Sequence, residues 1–404
     1  MAGYRPYLES RYHDRLDEVV RRSSVMTEES ARNLVAIRRY MTPEKLERMH
    51  AYSDQVNSNN EQRLKELEGD GVVAEVMFSG GPVPFTGFFG NAEAVEGEEL
   101  ELAMAGQRAH NRWLGEFIDP SRQVGVALIN YADVDAAVRE VYWAANAGLR
   151  SVMVNGVQTS VPPPWDDRYT PLWNAIEDTG LPISLHAGSG STVRMPAGVN
   201  QPRDFSSRSG HLRQVIKITP GPFATHRALW FFVWGGILES HPNLKLVFTE
   251  TGSGWVAKAV TYMDWQWEYS AHSESDLVPR RPSEYWQRQC FVGASIMTHH
   301  EVAHRHEIGV PQMMFGTDFP HPEGTLGKTI SYLNHVLAGT DITEAELRAI
   351  LGENAARCYG LDMTYLQSLA NKVGPTMQEI MAVSDTSVDD PETTMWAAKP
   401  SFVF

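Results

Sequence analysis

The sequence predicts an α/β protein whose parallel strands form a (β/α)8 barrel. Seven short apolar segments recur along the chain, rich in β-branched residues and mostly without polar alternation, as is typical of strands covered on both faces. Helical stretches separate them, and a strand–helix–strand repeat implies right-handed crossovers and a parallel sheet. One member of an eight-stranded barrel remains unaccounted for, and a doubly wound open sheet is the alternative fold. The segments are Val72–Phe78, Val124–Ile129, Ser151–Val154, Pro182–His186, Leu244–Phe248, Cys290–Ile296 and Gln312–Asp318.

Capping patterns support the helices between these segments. Asp133 can cap a helix whose apolar face starts at Val134, and Gly148 follows its end. Thr343 and Glu346 have the spacing of a capping box in front of a further apolar run. These patterns predict helices where the barrel repeat requires them.

Three regions do not fit the repeat, and they suggest the organisation of the chain. We predict a helical or irregular N-terminal segment over residues 1–70, a barrel over 71–362 and a C-terminal tail over 363–404. Residues 79–122 are interpreted as a lid insertion after the first visible strand, which would be strand 2 of a complete barrel.

Composition excludes several classes of function. The chain has 404 residues and a formal net charge of −15, so nucleic acid and anionic membrane are not expected as main partners. No apolar run reaches the roughly 18–20 residues of a membrane span. Only Cys290 and Cys358 are present, which excludes a disulfide framework and favours a cytoplasmic location.

Polar side chains at the carboxyl ends of predicted strands suggest a reactive site. His186, Glu250 and Asp318 each end an apolar run, and His321 follows closely. Each alone would be read as a structural histidine or a turn former. Together His186, Glu250 and Asp318 converge on the barrel face that carries active sites, and they form a ligand set suited to Zn²⁺ or Mn²⁺. His321 is a candidate for substrate binding.

Aromatic and basic residues in the loops are candidates for substrate binding. Phe85, Phe88 and Phe89 lie among glycines and prolines, a composition that suits a lid over an apolar pocket. Trp255 lies just past Glu250. Arg194 follows His186 in the next loop, where its planar guanidinium would suit a carboxylate.

Four segments of the chain resemble the amidohydrolase-related family, in the branch of aminocarboxymuconate-semialdehyde decarboxylase and the resorcylate decarboxylases. The segments are SLHAGSGS, ILESHPNLKLVFTETGSGWV, MMFGTDFPHPEG and ENAARCYGL, and the likeness extends from about Val72 to Leu361. The resemblance implies a metal-dependent barrel enzyme acting on small carboxylated or amide-like substrates, and we expect a homo-oligomer.

The resemblance also implies metal ligands, of which this sequence contains two. His186 and Asp318 match the family's fifth-strand His and eighth-strand Asp, whereas the first-strand H-x-H has no match. Glu250 stands where the decarboxylases have a His. A truncated N-terminus is the first explanation, and a reduced metal site and a metal-free barrel are the others.

The absent strand would leave two sheet edges exposed, which natural proteins avoid. We expect Tyr4–Leu8, the tail segment Pro400–Phe404 or a segment of a second subunit to fill the gap.

Three functions are compatible with these residues. The first is a metal-dependent hydrolase of a small carbonyl or carboxylated compound, with Asp318 or Glu250 taking the proton from the attacking water. The second is a non-oxidative decarboxylase of an aromatic or enol acid. The third is a metal-free barrel with a binding or assembly role. A divalent metal, Zn²⁺ first and Mn²⁺ second, is the expected cofactor of the first two.

Overall fold

Seven parallel strands form one sheet in the computed structural model, which describes residues 2–21, 43–79, 82–87, 96–154, 161–187, 221–270, 276–294, 296–321 and 324–382. The strands pair in sequence order, β1 with β2 through to β6 with β7. In that order they are β1 Glu75–Met77, β2 Gln123–Ile129, β3 Ser151–Val154, β4 Ile183–His186, β5 Leu246–Thr249, β6 Cys290–Ala294 and β7 Met313–Phe315. Each predicted segment overlaps one strand, so the parallel α/β prediction is confirmed.

Helices connect the strands and cover the outside of the sheet. They are α1 Pro43–Ser58, α2 Asn60–Gly69, α3 Gly97–Phe117, α4 Val134–Asn146, α5 Thr170–Thr179, α6 Gly221–Trp234, α7 Ile237–Ser240, α8 Val256–Tyr269, α9 Pro282–Gln289, α10 His299–Ala303, α11 Arg305–Ile308, α12 Thr329–Leu337, α13 Glu344–Arg348, α14 Asn354–Tyr359, α15 Met363–Val373 and α16 Met377–Ile380. Short 3-10 helices span Ala2–Tyr7, Ser10–Tyr12, Asp167–Tyr169 and Val310–Gln312, and a π-helical turn spans Ala349–Glu353. In the described part of the chain, none of the helices is both long and apolar enough to cross a membrane.

The predicted caps are present. Asp133 accepts a hydrogen bond from the backbone N–H of Ala136 at the start of α4, and Gly148 follows that helix with φ of +84°. Thr343 and Glu346 form a reciprocal capping box at the start of α13. These contacts satisfy backbone donors that would otherwise lack partners at the helix ends.

Much of the predicted insertion is an ordinary crossover. Helix α3 occupies residues 97–117 and joins β1 to β2, which are adjacent and parallel. Asn111 of α3 bonds the backbone N–H and C=O of Leu128 in β2, so the helix is attached to the sheet itself. The lid interpretation of residues 79–122 is therefore wrong for the helical part, because the 21-residue helix α3 is the crossover between two adjacent parallel strands.

Side chains alternate between two apolar layers along the strands. In β5, Leu246 and Phe248 pack with the outer helices, whereas Val247 faces the interior with Val124 and Phe291. This alternation is the period-two geometry of a strand buried on both faces. The interior layer fills the barrel floor and leaves the carboxyl ends of the strands open for a site.

Strands β1 and β7 do not pair with each other, so within the described residues the sheet is a curled, open barrel of seven strands. A cavity of about 1260 Å³ borders both edges, with residues 72–79 on one side and 314–321 on the other. Residues 2–7 form a 3-10 helix, so the expectation that Tyr4–Leu8 supplies the missing strand is wrong. Pro400–Phe404 lies outside the described residues.

Candidate active site at the carboxyl ends of β4, β5 and β7

His186 ends β4, and its ring is held in one orientation. Nδ1 lies 2.8 Å from the carbonyl oxygen of Ala187, which can only accept, so Nδ1 carries a hydrogen. Nε2 lies 3.1 Å from Oε2 of Glu250. With Nδ1 protonated, Nε2 is the nitrogen that a neutral ring offers as a ligand, and it points at a carboxylate.

The two site carboxylates lie on unusual backbone. Glu250 has φ of +58° and Asp318 has φ of +60°, in the left-handed region that residues with a Cβ rarely adopt. In the part of the chain that the structure describes, Phe85 is the one further non-glycine residue of this kind. Such strain costs about 1–3 kcal/mol at each residue and clusters at functional sites, where surrounding contacts enforce it.

His321 joins the two carboxylates. Its Nδ1 lies 3.1 Å from Oδ1 of Asp318 and 3.8 Å from Oε1 of Glu250. The hydrogen bonds with Asp318 and then Glu250 raise the pKa of His321 to about 10, although burial acts in the opposite direction. The ring therefore holds a proton at neutral pH when no cation balances the two carboxylates.

Ligand atoms of Glu250, Asp318 and His321 all lie within 4.8 Å of one another. His186 extends the group through its 3.1 Å approach to Glu250. Donors at right angles about 2.1 Å from a small divalent ion are about 3 Å apart, and the two 3.1 Å contacts of this group have that spacing, whereas the 3.8 Å contact is wider. Two carboxylates and two imidazoles fit Mn²⁺ or Zn²⁺ by donor type.

A buried glutamate holds the loop that carries Glu250. Glu301, only 1% exposed, accepts hydrogen bonds from the backbone N–H groups of Ser253 and Gly254. Its second oxygen accepts from the backbone and hydroxyl of Thr298, at 2.7 and 2.9 Å. The loops after β5 and β6 are thus tied together behind the site.

The loop that carries Asp318 and His321 closes tightly on a glycine. The backbone N–H of Thr325 donates to the carbonyl of Thr317 at 2.8 Å. A Cβ on Gly324 would lie 2.6 Å from that carbonyl oxygen and 2.7 Å from that of Asp318. Only glycine allows this approach without displacing the loop.

All four site residues, His186, Glu250, Asp318 and His321, line the cavity between β1 and β7. The cavity exceeds the roughly 300–1,000 Å³ of sites for drug-sized ligands. Its wall also includes Phe78 from the end of β1, whose ring lies 5.0 Å from that of His186.

The structure places the other predicted substrate-binding residues differently. Trp255 is 6% exposed, stacks on His226 at 4.0 Å and is not among the residues that line the cavity. Phe85 packs edge-on against Tyr12 rather than forming part of the cavity wall. Phe88, Phe89 and Arg194 lie outside the described residues.

The comparison with protein families decides which family the chain belongs to. A family described as Amidohydrolase matches residues 82–361, well over half of the chain. The chain belongs to the amidohydrolase family. The prediction of an amidohydrolase-family enzyme is therefore confirmed. A separate comparison with curated protein sequences found no match.

Solved structures share the fold of this amidohydrolase at low identity. An amidohydrolase from Mycobacterium avium subsp. paratuberculosis K-10 is 22% identical, with a TM-score of 0.58 over 80% of each chain. The 5-carboxyvanillate decarboxylase of Sphingomonas paucimobilis is 19% identical, with a TM-score of 0.55 over 74% of this chain and 83% of that one. A dihydroxybenzoic acid decarboxylase of Polaromonas sp. JS666, solved with bound manganese, is 21% identical, with a TM-score of 0.51 over 67% and 80%.

Two residues that support the candidate site of this amidohydrolase were not predicted from the sequence. Phe78 was assigned only to a strand, and Glu301 was not considered. The Thr298-x-x-Glu301 spacing is a capping-box signature, and it could have located the helix that holds Glu301. Its two bonds to the Glu250 loop depend on folding and have no sequence signal.

Proposed function

We propose that this amidohydrolase is a metal-dependent hydrolase of a small carbonyl or carboxylated compound. The observation that carries the proposal is the convergence of His186, Glu250, Asp318 and His321 at the carboxyl ends of their strands, beside one cavity. Barrel enzymes carry out their chemistry at the carboxyl ends of their strands, where these four side chains meet.

His186 and Asp318 are the proposed metal ligands. Nε2 of His186 is directed into the site by the Nδ1 hydrogen bond to Ala187, and the Asp318 side chain is only 9% exposed. A divalent ion held there would polarise a substrate oxygen and stabilise negative charge that develops on it. The carboxylate-rich donor set and the manganese of the Polaromonas structure favour Mn²⁺ over the Zn²⁺ expected from sequence.

Glu250 and His321 are the proposed proton carriers. Glu250, 21% exposed, reaches the cavity and can accept the proton of an attacking water. His321, whose Nδ1 lies 3.1 Å from Oδ1 of Asp318, is the proposed donor of a proton to the leaving group. The residues thus supply a base and an acid on one cavity wall.

A decarboxylase is the second candidate, and one observation favours it. His321 faces the cavity beside Asp318, where it can deliver the proton that decarboxylation of an aromatic acid needs at the ring carbon. Fold similarity to decarboxylases adds support at the level of the fold. The carboxylate at Glu250, where decarboxylases of the resembled branch have a His, supports the hydrolase.

One experiment tests the proposal and separates the candidates. Chelator-treated protein would be titrated calorimetrically with Mn²⁺ and Zn²⁺, then assayed with phenolic carboxylates for CO₂ release and with small amides and lactones for hydrolysis. Asp318→Asn should weaken metal binding by more than about 100-fold, because even indirect supporting residues contribute about 10–100-fold. Asp135→Asn, exposed on α4, is the matched control.

The hydrolase proposal fails if CO₂ is the sole product formed. Both enzyme proposals fail if the wild-type protein and Asp318→Asn bind metal equally.

A cytoplasmic location also remains a proposal, supported by two buried free thiols, Cys290 and Cys358.

A further inference from the structure

A pair of histidines lies at helix α10, outside the candidate active site. Residues 300–304 read His-Glu-Val-Ala-His, the H-E-x-x-H spacing that places two histidines on one face of a helix. The backbone N–H of His304 donates to the carbonyl oxygen of His300 at 3.0 Å, so the helical turn extends through both residues. Their ring centroids are 4.0 Å apart. Neither histidine lines the cavity of the candidate active site.

The ring of His304 is held as that of a metal ligand is. Its Nδ1 lies 2.9 Å from the carbonyl oxygen of His300, which can only accept, so Nδ1 carries a hydrogen. Nε2 therefore bears the lone pair of the neutral ring, and an Nδ1–H bond to a backbone carbonyl is a common support of a ligating histidine. Within the described residues the ring of His300 forms no hydrogen bond, and both rings are partly exposed.

The glutamate of the motif is engaged elsewhere. In metalloproteases with this spacing the glutamate is the general base. Here Glu301 is 1% exposed, and one of its oxygens accepts from the backbone N–H groups of Ser253 and Gly254. The other oxygen accepts from the backbone and hydroxyl of Thr298. The motif therefore supplies two imidazoles without the base that a protease needs.

Contacts on the inner side of α10 fix the two histidines in place. Thr298 and Glu301 form a reciprocal capping box at the start of the helix, and Val302, between the two histidines, is completely buried. The guanidinium of the neighbouring Arg305 bonds two carboxylates at 2.9 and 3.1 Å, so its charge is compensated. A cation approaching the pair meets rings on a rigid support.

We propose that His300 and His304 form a second metal site of this chain, for a transition-metal ion such as Cu²⁺, Ni²⁺ or Zn²⁺. Imidazole nitrogens suit these ions, whereas Mn²⁺ prefers carboxylate oxygens. Within the described residues, the group of three or more clustered ligand side chains is Glu250, Asp318 and His321, so water completes the coordination at the α10 pair. The proposal is independent of the reaction proposed for the active site, because the two sites share no residue.

Ni²⁺ titration of the full-length Asp318→Asn protein tests the proposal, because that variant weakens the other candidate metal site. One ion should bind per chain, and His304→Gln should weaken its binding at least about tenfold, since even indirect support of a ligand contributes about 10–100-fold. Mn²⁺ should bind this variant more weakly than Ni²⁺. The same comparison in the wild-type background keeps the test valid if Asp318→Asn does not fold.

His306→Gln is the matched control. It removes an imidazole that is 63% exposed on α11 and lies 3.2 Å from Glu346, and it should leave Ni²⁺ affinity unchanged. Melting temperatures measured without metal show whether each variant is folded.

Electron paramagnetic resonance of bound Cu²⁺ identifies the ligands. The Asp318→Asn protein with one equivalent of Cu²⁺ should show coupling to two imidazole nitrogens, and His300→Gln should lose one of them. The proposal is overturned if His304→Gln binds Ni²⁺ as tightly as its parent, or if His300→Gln leaves the Cu²⁺ spectrum unchanged. Equal loss of affinity in His306→Gln would also overturn it, because the ion would then be held by surface histidines in general.

Discussion

Glycine at position 324 is required by the loop that places Asp318 and His321. A methyl group there would lie within 2.6–3.0 Å of three carbonyl oxygens, those of Thr317, Asp318 and His321. Gly324→Ala should therefore displace both site residues and lower metal affinity at least about tenfold, as loss of a supporting contact does. Calorimetric metal titration measures the effect.

Gly69→Ala is the matched control, because a Cβ at position 69 meets no atom within 4 Å. If Gly324→Ala binds metal as tightly as wild type, the loop tolerates the displacement and the ligand role of Asp318 is in doubt.

His110 should make the protein sensitive to acid. It is 2% exposed and bonded to the hydroxyl of Tyr4, and burial lowers the pKa of His110 to about 4. The unfolded chain, with a pKa near 6.5, binds this proton first as pH falls, so stability is fully present above about pH 6.5 and is lost as pH falls toward 4. His110→Gln should reduce the stability lost between pH 7 and pH 5 by about 2 kcal/mol.

Urea unfolding at the two pH values measures this difference. His306→Gln, at a side chain that is 63% exposed, serves as the control and should leave the pH dependence nearly unchanged. An unaltered acid sensitivity in His110→Gln would assign the effect to other groups, such as the buried His226.

At the scale of elements, a buried ion pair joins α2 to the edge strand β1. Arg63 binds Glu75 through two hydrogen bonds of 2.8 and 2.7 Å, and both side chains are less than 10% exposed. Arg63→Met would leave Glu75 buried without its cation and should destabilise the protein by about 3–5 kcal/mol. Thermal and urea unfolding measure the change.

The double variant Arg63→Met, Glu75→Met separates the pair from its packing. Replacing both charges with apolar groups removes the uncompensated charge and should recover most of the stability. If the double variant is as unstable as the single one, the packing of α2 rather than the ion pair holds β1 in place.

At the scale of the whole molecule, the open side of the barrel should exchange hydrogen fastest. Strands β1 and β7 each pair on one side within the described residues, whereas β4 pairs on both. Hydrogen exchange by mass spectrometry should show faster exchange in peptides covering β1 and β7 than in the β4 peptide, because edge amides lack partners. Equal protection would show that another segment covers the gap in solution.

The local sequence pattern predicted the strands and the helix ends, because these depend on residues that are close in sequence. Buried apolar runs identified all seven strands, and Asp133 and the Thr343–Glu346 pair act within one helical turn. The barrel floor follows from the same alternation. The ends differ by a few residues, as with β7, where hydrogen bonding stops at Phe315 before the predicted end at Asp318.

The sequence by itself determined the parallel α/β fold and the strand-end residues His186, Glu250, Asp318 and His321. It could do so because parallel strands place their carboxyl ends at one edge whatever the distances between them along the chain. Only the tertiary structure decided that Trp255 packs in the core, that Glu301 supports the Glu250 loop and that α3 is a crossover. Those outcomes depend on contacts between residues far apart in sequence, which a local sequence pattern does not predict.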